Sequence, residues 1–305
     1  MSAVLHYYYP WTHYPNEVMP MLLREFLDHG ISNFVFTDQI AWNCIQDAEY
    51  AAFFRKEVKE FGVHFGAMHG LCGAIGDLDI TDSEKRDHIL KHHIQAMTLE
   101  AEFGGLTYTV HPGAAEYCRN RIPVSRLIEL SIEMLEKMVP VAEKLGIVIA
   151  VENSFEPPNT PEVVLNVIRP FLGNPAIGVC YDTGHANMMA PADWKKAENY
   201  PDYQKQNWAE TGLIKVPDAI EQLQPYIVTT HIHDNDGYRD LHGMPFDGTI
   251  EWDELMPKIR NCPLMLEYQT EVCMESGINW AGHLLAPHGG YSVKRLVDTF
   301  HKLGF

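Results

Sequence analysis

The sequence contains no Cys-x-x-Cys pair, no apolar run approaching the roughly 20 residues that cross a bilayer, and no glycine-rich Gly-x-Gly-x-x-Gly phosphate cradle. These absences exclude a paired-thiol metal or redox centre, a transmembrane helix and a nucleotide site built on such a loop. The six cysteines (Cys44, Cys72, Cys118, Cys180, Cys262 and Cys273) are scattered, and Met1-Ser2-Ala3-Val4 lacks a basic region leading into an apolar core, so a reducing, cytoplasmic location is expected. Cationic side chains are also scarce: 23 Lys+Arg stand against 41 Asp+Glu, a formal charge of −18. That balance opposes attraction to phosphate backbones and anionic membranes, so neither nucleic acid nor membrane is an expected partner. No internal repeat, low-complexity tract or Gly/Ser linker divides the chain.

With 46% hydrophobic and 21% charged residues, the 305-residue chain reads as one folded domain over 1–305. Eight short β-type runs alternate with amphipathic stretches: Val4–Tyr9, Ser32–Thr37, Val63–His69, Leu106–His111, Ile147–Glu152, Ile177–Asp182, Tyr226–His231 and Pro263–Glu267. Helix starts are marked by Thr81-Asp82-Ser83-Glu84, with capping-box spacing, and by Thr160-Pro161. Ile89, Leu90, Ile94 and Met97 then share one helical face, as do Leu127, Leu130, Met134 and Met138. The alternation points to an α/β fold, a TIM (β/α)8 barrel with its active site at the C-terminal face of the strands; a doubly wound open sheet is the structural alternative. Three segments exceed what a barrel needs, Met188–Val216, Asp234–Ile250 and Gln269–Gly290, and all follow a strand, where barrel enzymes build substrate pockets.

Six of the expected strands end in a carboxylate or an imidazole: His69, His111, Glu152, Asp182, His231 and Glu267. Alternation turns these tips inward, with mostly small residues below them, such as Ala150, Gly178, Cys180 and Thr229. Any one of them alone could be a helix cap or an ion-pair partner. Six together imply a shared ligand, because converging buried carboxylates repel one another unless a cation or proton compensates. Mixed carboxylate and imidazole donors suit Mn, Co, Zn, Fe or Mg. His64, His88, His92, His93, His283 and His288 lack the strand-end position and read as surface or core residues. Trp11, His13 and Tyr14 after the first strand, and Trp42 after the second, are candidates to pack on an apolar face of a ligand in the mouth, or else ordinary rim aromatics. The loop after Asp234 offers one cation, Arg239, so an unphosphorylated substrate is expected.

Val151-Glu152-Asn153, Asp182-Thr183-Gly184-His185, His231-Ile232-His233-Asp234-Asn235-Asp236-Gly237 and Leu266-Glu267 together resemble the strand-end signatures of the xylose isomerase-like superfamily, from about His69 to Glu267. The resemblance implies a divalent metal, manganese first, held by Glu152, Asp182, His231 and Glu267. It implies a substrate contact from His185; His69, His111, His233, Arg239 and Trp11 are the further candidate substrate-binding residues. His231 and His233 both face inward by parity; His231 is the expected ligand because His-x-x-Asp-Asn is the commoner arrangement in the relatives. The implied activity is a metal-dependent isomerase or epimerase acting on a monosaccharide or keto-polyol through an enediolate, with Glu152 and Glu267 as the acid/base pair. A lyase dehydrating an inosose-like or dehydroshikimate-like ketone would use the same chemistry. Asp240 and His242 are possible extra ligands; with His69, His111 and His185 they supply every ligand type of the related zinc-dependent abasic-site endonucleases, which implies a multinuclear phosphodiesterase as a second alternative. In the segment Gly237–Trp252, Glu251 stands where the family has Asp, which bears on loop geometry. Barrels with long loops on the C-terminal face often pair, so a homo-oligomer is possible on this reading.

Overall fold

A computed structural model describes residues 3–189, 200–209, 216–272 and 292–305. All eight expected strands are present, the first seven close to their expected places: β1 (Val4–His6), β2 (Asn33–Val35), β3 (His64–Gly66, resumed at Met68–His69), β4 (Thr107–Val110), β5 (Val148–Glu152), β6 (Ile177–Asp182), β7 (Ile227–Ile232) and β8 (Glu267–Thr270). Every pairing is parallel, and the order is cyclic. β8 pairs with β1 through Val4 and Glu267, and β1 reaches β2 through a bridge between Tyr7 and Phe34. The ring therefore closes as a TIM barrel, and the open-sheet alternative is excluded. β3 is interrupted at Ala67, whose φ of 50° is left-handed; its first half pairs with β2 and its second half with β4.

The eighth strand corrects an expectation. Pro263 has no N–H to give to a ladder, Met265 N–H turns back to the Cys262 carbonyl, and Leu264 is half exposed. Pairing begins at Leu266, whose N–H reaches the Val228 carbonyl. Glu267 is therefore the first residue of β8 and not the last, which places it at the N-terminal end of the barrel.

The apolar core lies between the ring and its helices. Phe26, Phe34, Phe36, Phe54 and Phe65 are fully buried there, and helix Val124–Leu145 turns Leu127, Leu130, Met134 and Met138 inward as its periodicity requires. Helix Ser83–Phe103 begins one residue later than the capping box suggests: Asp82, not Thr81, caps it, accepting from the Glu84 and Lys85 N–H groups. Trp11 belongs to this core as well. It is 4% exposed, with its ring centroid 4.8–5.9 Å from Tyr9, Phe26, Phe34 and Phe65, so it lies among core aromatics and not in the mouth. Trp42 likewise packs edge-on against His92, between helices.

Of the three long segments, residues 190–199, 210–215 and 273–291 lie outside the described residues, with Cys273, His283 and His288 among them. The loop after β7 is fully described, and a single buried carboxylate organises it. Asp234 accepts from the N–H groups of Asn235, Phe246 and Ile250 and from Trp252 Nε1, at 2.8–3.2 Å, while its backbone pairs with Gly243 in both directions. Gly248 passes so close to Asp234 and Asn235 that a Cβ there would strike them. This clamp sets the path of Asp240-Leu241-His242. Asp234→Asn replaces one acceptor oxygen by a donor facing N–H groups, so it is expected to lower unfolding stability by about 1–3 kcal/mol, measured by chemical denaturation.

Candidate metal centre

Each motif locks one strand end to the next. Asn153, one residue past β5, donates to the Asp182 carbonyl and accepts from the Asp182 N–H, at 3.1 and 3.0 Å. Thr183, one residue past β6, does the same to His233: its hydroxyl donates to the His233 carbonyl at 2.7 Å and accepts the His233 N–H at 3.1 Å. Glu271 N–H reaches the Ile232 carbonyl at 3.1 Å. A Cβ at Gly184 would run into the His233 ring, so the glycine of Asp-Thr-Gly-His is the residue that lets that ring lie flat across the turn. The result is a fixed register in which Glu152, Asp182, His231 and Glu271 all point into the mouth.

Among the donor groups that result, within each of which the ligand atoms lie within 4.8 Å of one another, three cover the mouth: Glu152, Asp182, His231 and Glu271; His69, His111 and Glu152; and, sharing no residue with these two, His185, His233, Asp240 and His242. Glu152 belongs to the first two. Its carboxylate meets His111 Nε2 at 2.9 Å, His231 Nδ1 at 3.2 Å and His185 Nδ1 at 3.2 Å. His231 Nδ1 stands 3.2 Å from Glu271 as well, and so lies between the two glutamates. His69 Nδ1 donates to the Gly70 carbonyl, which leaves Nε2 facing Glu271 at 3.4 Å. In the third group His233 Nε2 approaches both Asp182 oxygens at 2.9–3.0 Å, and its ring stacks on that of His242 at 4.1 Å. Asp240 sits 3.1 Å from His242 Nε2 and 3.7 Å from His185 Nε2.

Burial opposes charge on His111, Glu152, His185, His231, Asp240, His242 and Glu271, and their mutual attraction outweighs it. Burial would lower His111, yet Glu152 and Asp77 raise it to about 9; Asp240 and Glu271 likewise raise His242 to about 10. Glu152 and Glu271 are held well below the usual carboxylate range, against their burial, by His231 together with His111 and His242 respectively. Both are therefore ionised. Even so, Glu152 Oε1, Glu271 Oε2, Asp240 Oδ1, His233 Nδ1 and both His231 nitrogens are buried without a hydrogen bond among the described residues. Orphaned acceptor atoms from carboxylates and imidazoles, brought together in one pocket, fit a divalent cation.

Glu267 stands apart from these groups. Its Oε2 accepts from the Thr107 N–H and hydroxyl at 3.0 and 2.9 Å, at the bottom of the ring. The neighbouring His6 Nε2 is 3.7 Å away, but burial depresses that imidazole to about 3, so it brings no charge, and burial raises Glu267 to about 7. Arg239 is exposed and paired through two nitrogens with Asp236, at 2.6 and 2.8 Å, away from the donor groups. The sequence reading counted neither Glu271 nor Cys180 as a donor, although it turned Cys180 inward. Glu271 has the same parity as Glu267 but stands two repeats of the pleat higher. Cys180, inward on β6, joins Glu152 and His231, although burial pushes its thiol up to about 12 and keeps it protonated.

Exchanging the two glutamates separates their roles. Glu271→Gln is expected to lower the metal content of protein loaded with Zn2+ or Mn2+, read by inductively coupled plasma mass spectrometry, and Glu267→Gln to leave it unchanged. Because Glu267 is raised in the folded protein, its contribution to stability is present below its ordinary value near 4.5 and is lost as pH rises through about 7. The melting temperature of Glu267→Gln relative to the wild type should therefore rise between pH 5 and pH 8 (values chosen to bracket about 7).

Residues 34–284 match the xylose isomerase-like TIM barrel family. Two curated relatives are uncharacterised proteins: y4fM of Sinorhizobium fredii, 30% identical over 36% of this chain and 30% of its own length, and MJ1311 of Methanocaldococcus jannaschii, 28% identical over 50% of this chain and 45% of its own. The matched regions thus span less than half of either relative. Among solved structures, the 3-keto-D-glucoside 4-epimerase of E. coli superposes with a TM-score of 0.66 at 16% identity, covering 99% of both chains. A D-psicose 3-epimerase determined in the presence of D-fructose gives 0.65 at 15% identity, over 99% of this chain and 96% of that one. A Thermus thermophilus protein soaked with zinc chloride gives 0.58 at 21% identity, over 88% and 91%. At these identities the superpositions establish the fold. With the match extending over residues 34–284, the chain belongs to the xylose isomerase-like TIM barrel family.

Proposed function

We propose that the protein is a metal-dependent isomerase or epimerase of a monosaccharide or keto-polyol, with Glu152 and Glu271 as the acid/base pair. The observation that carries this reading is the presence of two buried glutamates in one four-donor group with Asp182 and His231. A divalent ion held by those four residues would polarise a carbonyl and its neighbouring hydroxyl, acidifying the C–H bond between them. Glu271 replaces Glu267 in the pair, because Glu267 lies at the opposite end of the barrel, hydrogen-bonded to Thr107. One of the two glutamates takes the proton from the substrate carbon, and the other returns it to the neighbouring carbon or to the opposite face. His111 and His185 steady Glu152, and His69 and His242 steady Glu271, so each carboxylate keeps its orientation as its charge changes. Manganese is the first choice for the carboxylate-rich group, and zinc suits the three imidazoles of His185, His233 and His242. The sugar epimerases that share the fold support a sugar substrate.

Phosphodiester hydrolysis at a multinuclear centre is the second reading, and a second four-donor group, His185, His233, Asp240 and His242, beside the first favours it specifically. Against it stand the charge of −18 and the commitment of Arg239 to Asp236. A lyase would begin with the same proton abstraction and end in loss of water. The reading further takes residues 1–305 as one domain and a cytoplasmic location, the latter supported by the free state of Cys44, Cys72, Cys118, Cys180 and Cys262. Among the described residues, no helix is long and apolar enough to cross a membrane.

The test is proton exchange. Mg2+- or Zn2+-loaded protein is incubated in D2O with D-fructose, D-tagatose and D-psicose, and deuterium next to the carbonyl is followed by NMR. Exchange with formation of an isomer is expected, falling on the order of 100-fold or more in Glu152→Gln and Glu271→Gln. Water loss would assign the lyase instead. Hydrolysis of bis(p-nitrophenyl) phosphate without any exchange would sink the isomerase reading.

A further inference from the structure

His93 and Glu100 of helix Ser83–Phe103 are fully buried outside the mouth, and neither takes part in the chemistry above. About two turns apart on one face of the helix, both turn toward β3 and β4. Glu100 meets the break in β3. Up to Gly66 that strand pairs with β2, and from Met68 it pairs with β4. Between the two Ala67 is left-handed, and the Met68 N–H that follows it donates to Glu100 Oε1 at 3.2 Å. Burial, reinforced by Glu267, pushes the Glu100 carboxyl well above the usual range. It is therefore a neutral acid, one oxygen of which serves the Met68 N–H as a strand carbonyl would.

His93 takes the other side of His69. Tyr108, on β4 between Thr107 and Thr109, faces out of the ring toward the helix, and its hydroxyl lies 2.7 Å from His93 Nδ1. His93 Nε2 is 2.8 Å from the Gly76 carbonyl, which can only accept, so the proton is on Nε2. Burial lowers this imidazole to about 4; it is neutral, and Nδ1 accepts from the Tyr108 hydroxyl. The Tyr108 oxygen accepts in turn from the Leu71 N–H at 3.4 Å. Gly76 lies against Leu71 so closely that a Cβ there would strike the Leu71 backbone. One helix thus holds the backbone at Met68, Leu71 and Gly76, on both sides of His69.

What this brace fixes is the aim of His69. The Gly70 N–H is tied to the Thr109 carbonyl at 3.0 Å, and a Cβ at Gly70 would run into that carbonyl. The Gly70 carbonyl accepts from His69 Nδ1, so its place selects the tautomer and leaves Nε2 facing Glu271, with the ring stacked on His231 at 5.1 Å. Nε2 is the atom that His69 can offer to a cation, with His111 and Glu152 on one side and His231 and Glu271 on the other. We propose that Glu100, Tyr108 and His93 are positioning residues, a polar brace from the outer helix that aims His69 Nε2 at a divalent cation in the mouth. The assignment rests on the metal-dependent reading above. Groups that orient a ligating histidine typically account for about 10–100-fold in metal affinity, because an aimed imidazole has less freedom to lose on binding.

The experiment is a double-mutant cycle on the full-length protein, with Zn2+ affinity measured by competition against a chromogenic chelator. Glu100→Leu and Tyr108→Phe should each weaken zinc binding about tenfold or more, and His69→Ala by a similar factor. In the His69→Ala background neither change should weaken it further, which a general loss of packing would do in both backgrounds. Glu100→Gln keeps an acceptor for the Met68 N–H and should bind zinc as the wild type does. Tyr108→Phe removes a single oxygen and carries the test by itself if Glu100→Leu does not fold. Wild-type affinity in Tyr108→Phe or in His69→Ala, or equal losses with and without His69, would overturn the brace and leave the proposed function standing. A wild type that binds no zinc would overturn both.

Discussion

The position of His231 between Glu152 and Glu271, 3.2 Å from each, is the contact on which the rest of the mouth depends. Two buried carboxylates that close would force one another to protonate; an imidazole between them, and a cation in its place or beside it, lets both stay ionised. The same logic repeats outward, with His111 and His185 on Glu152, His233 on Asp182, and His242 on Asp240. No member of this set would be tolerable alone in so dry a position. Their charges are mutually conditional, and the atoms left over without hydrogen bonds are those a metal would take.

Such a cluster needs strand ends that do not slide. A one-residue slip in any strand would turn its carboxylate or imidazole out of the ring. The side chains that prevent slippage are the polar neighbours of the ligands, Asn153 between β5 and β6 and Thr183 between β6 and β7, with Asp234 fixing the loop that brings Asp240 and His242 back over the mouth. Ligand and lock are adjacent in sequence because each strand end must both present a side chain inward and register itself against the next strand.

This adjacency is why so much was legible in the sequence. Val-Glu-Asn, Asp-Thr-Gly-His and His-x-His-Asp-Asn each carry a ligand beside its lock, and the alternation of strands and helices gave the barrel directly. The error at Glu267 has a simple origin. Glu267, Gln269 and Glu271 share one parity, so alternation alone makes all three inward and cannot say which layer each occupies. The layer is fixed by where pairing starts, which depends on the turn at Pro263 to Met265. The choice between His231 and His233 dissolved for a related reason: both point inward at successive levels, into different donor groups. Trp11 and Arg239 were misjudged because an aromatic or a cation in a loop carries no periodicity; one is absorbed by the Phe26, Phe34 and Phe65 cluster and the other by a local Asp three residues away.

The central claim is that the top of the barrel, and not its base, is built to hold a cation. Anomalous diffraction from crystals of the zinc-loaded protein, recorded on both sides of the zinc absorption edge, tests it most directly. The account predicts a peak about 2.0–2.2 Å from donor atoms of Glu152, Asp182, His231 and Glu271. A zinc peak bound at Glu267, or none at the four residues under saturating metal, would contradict it.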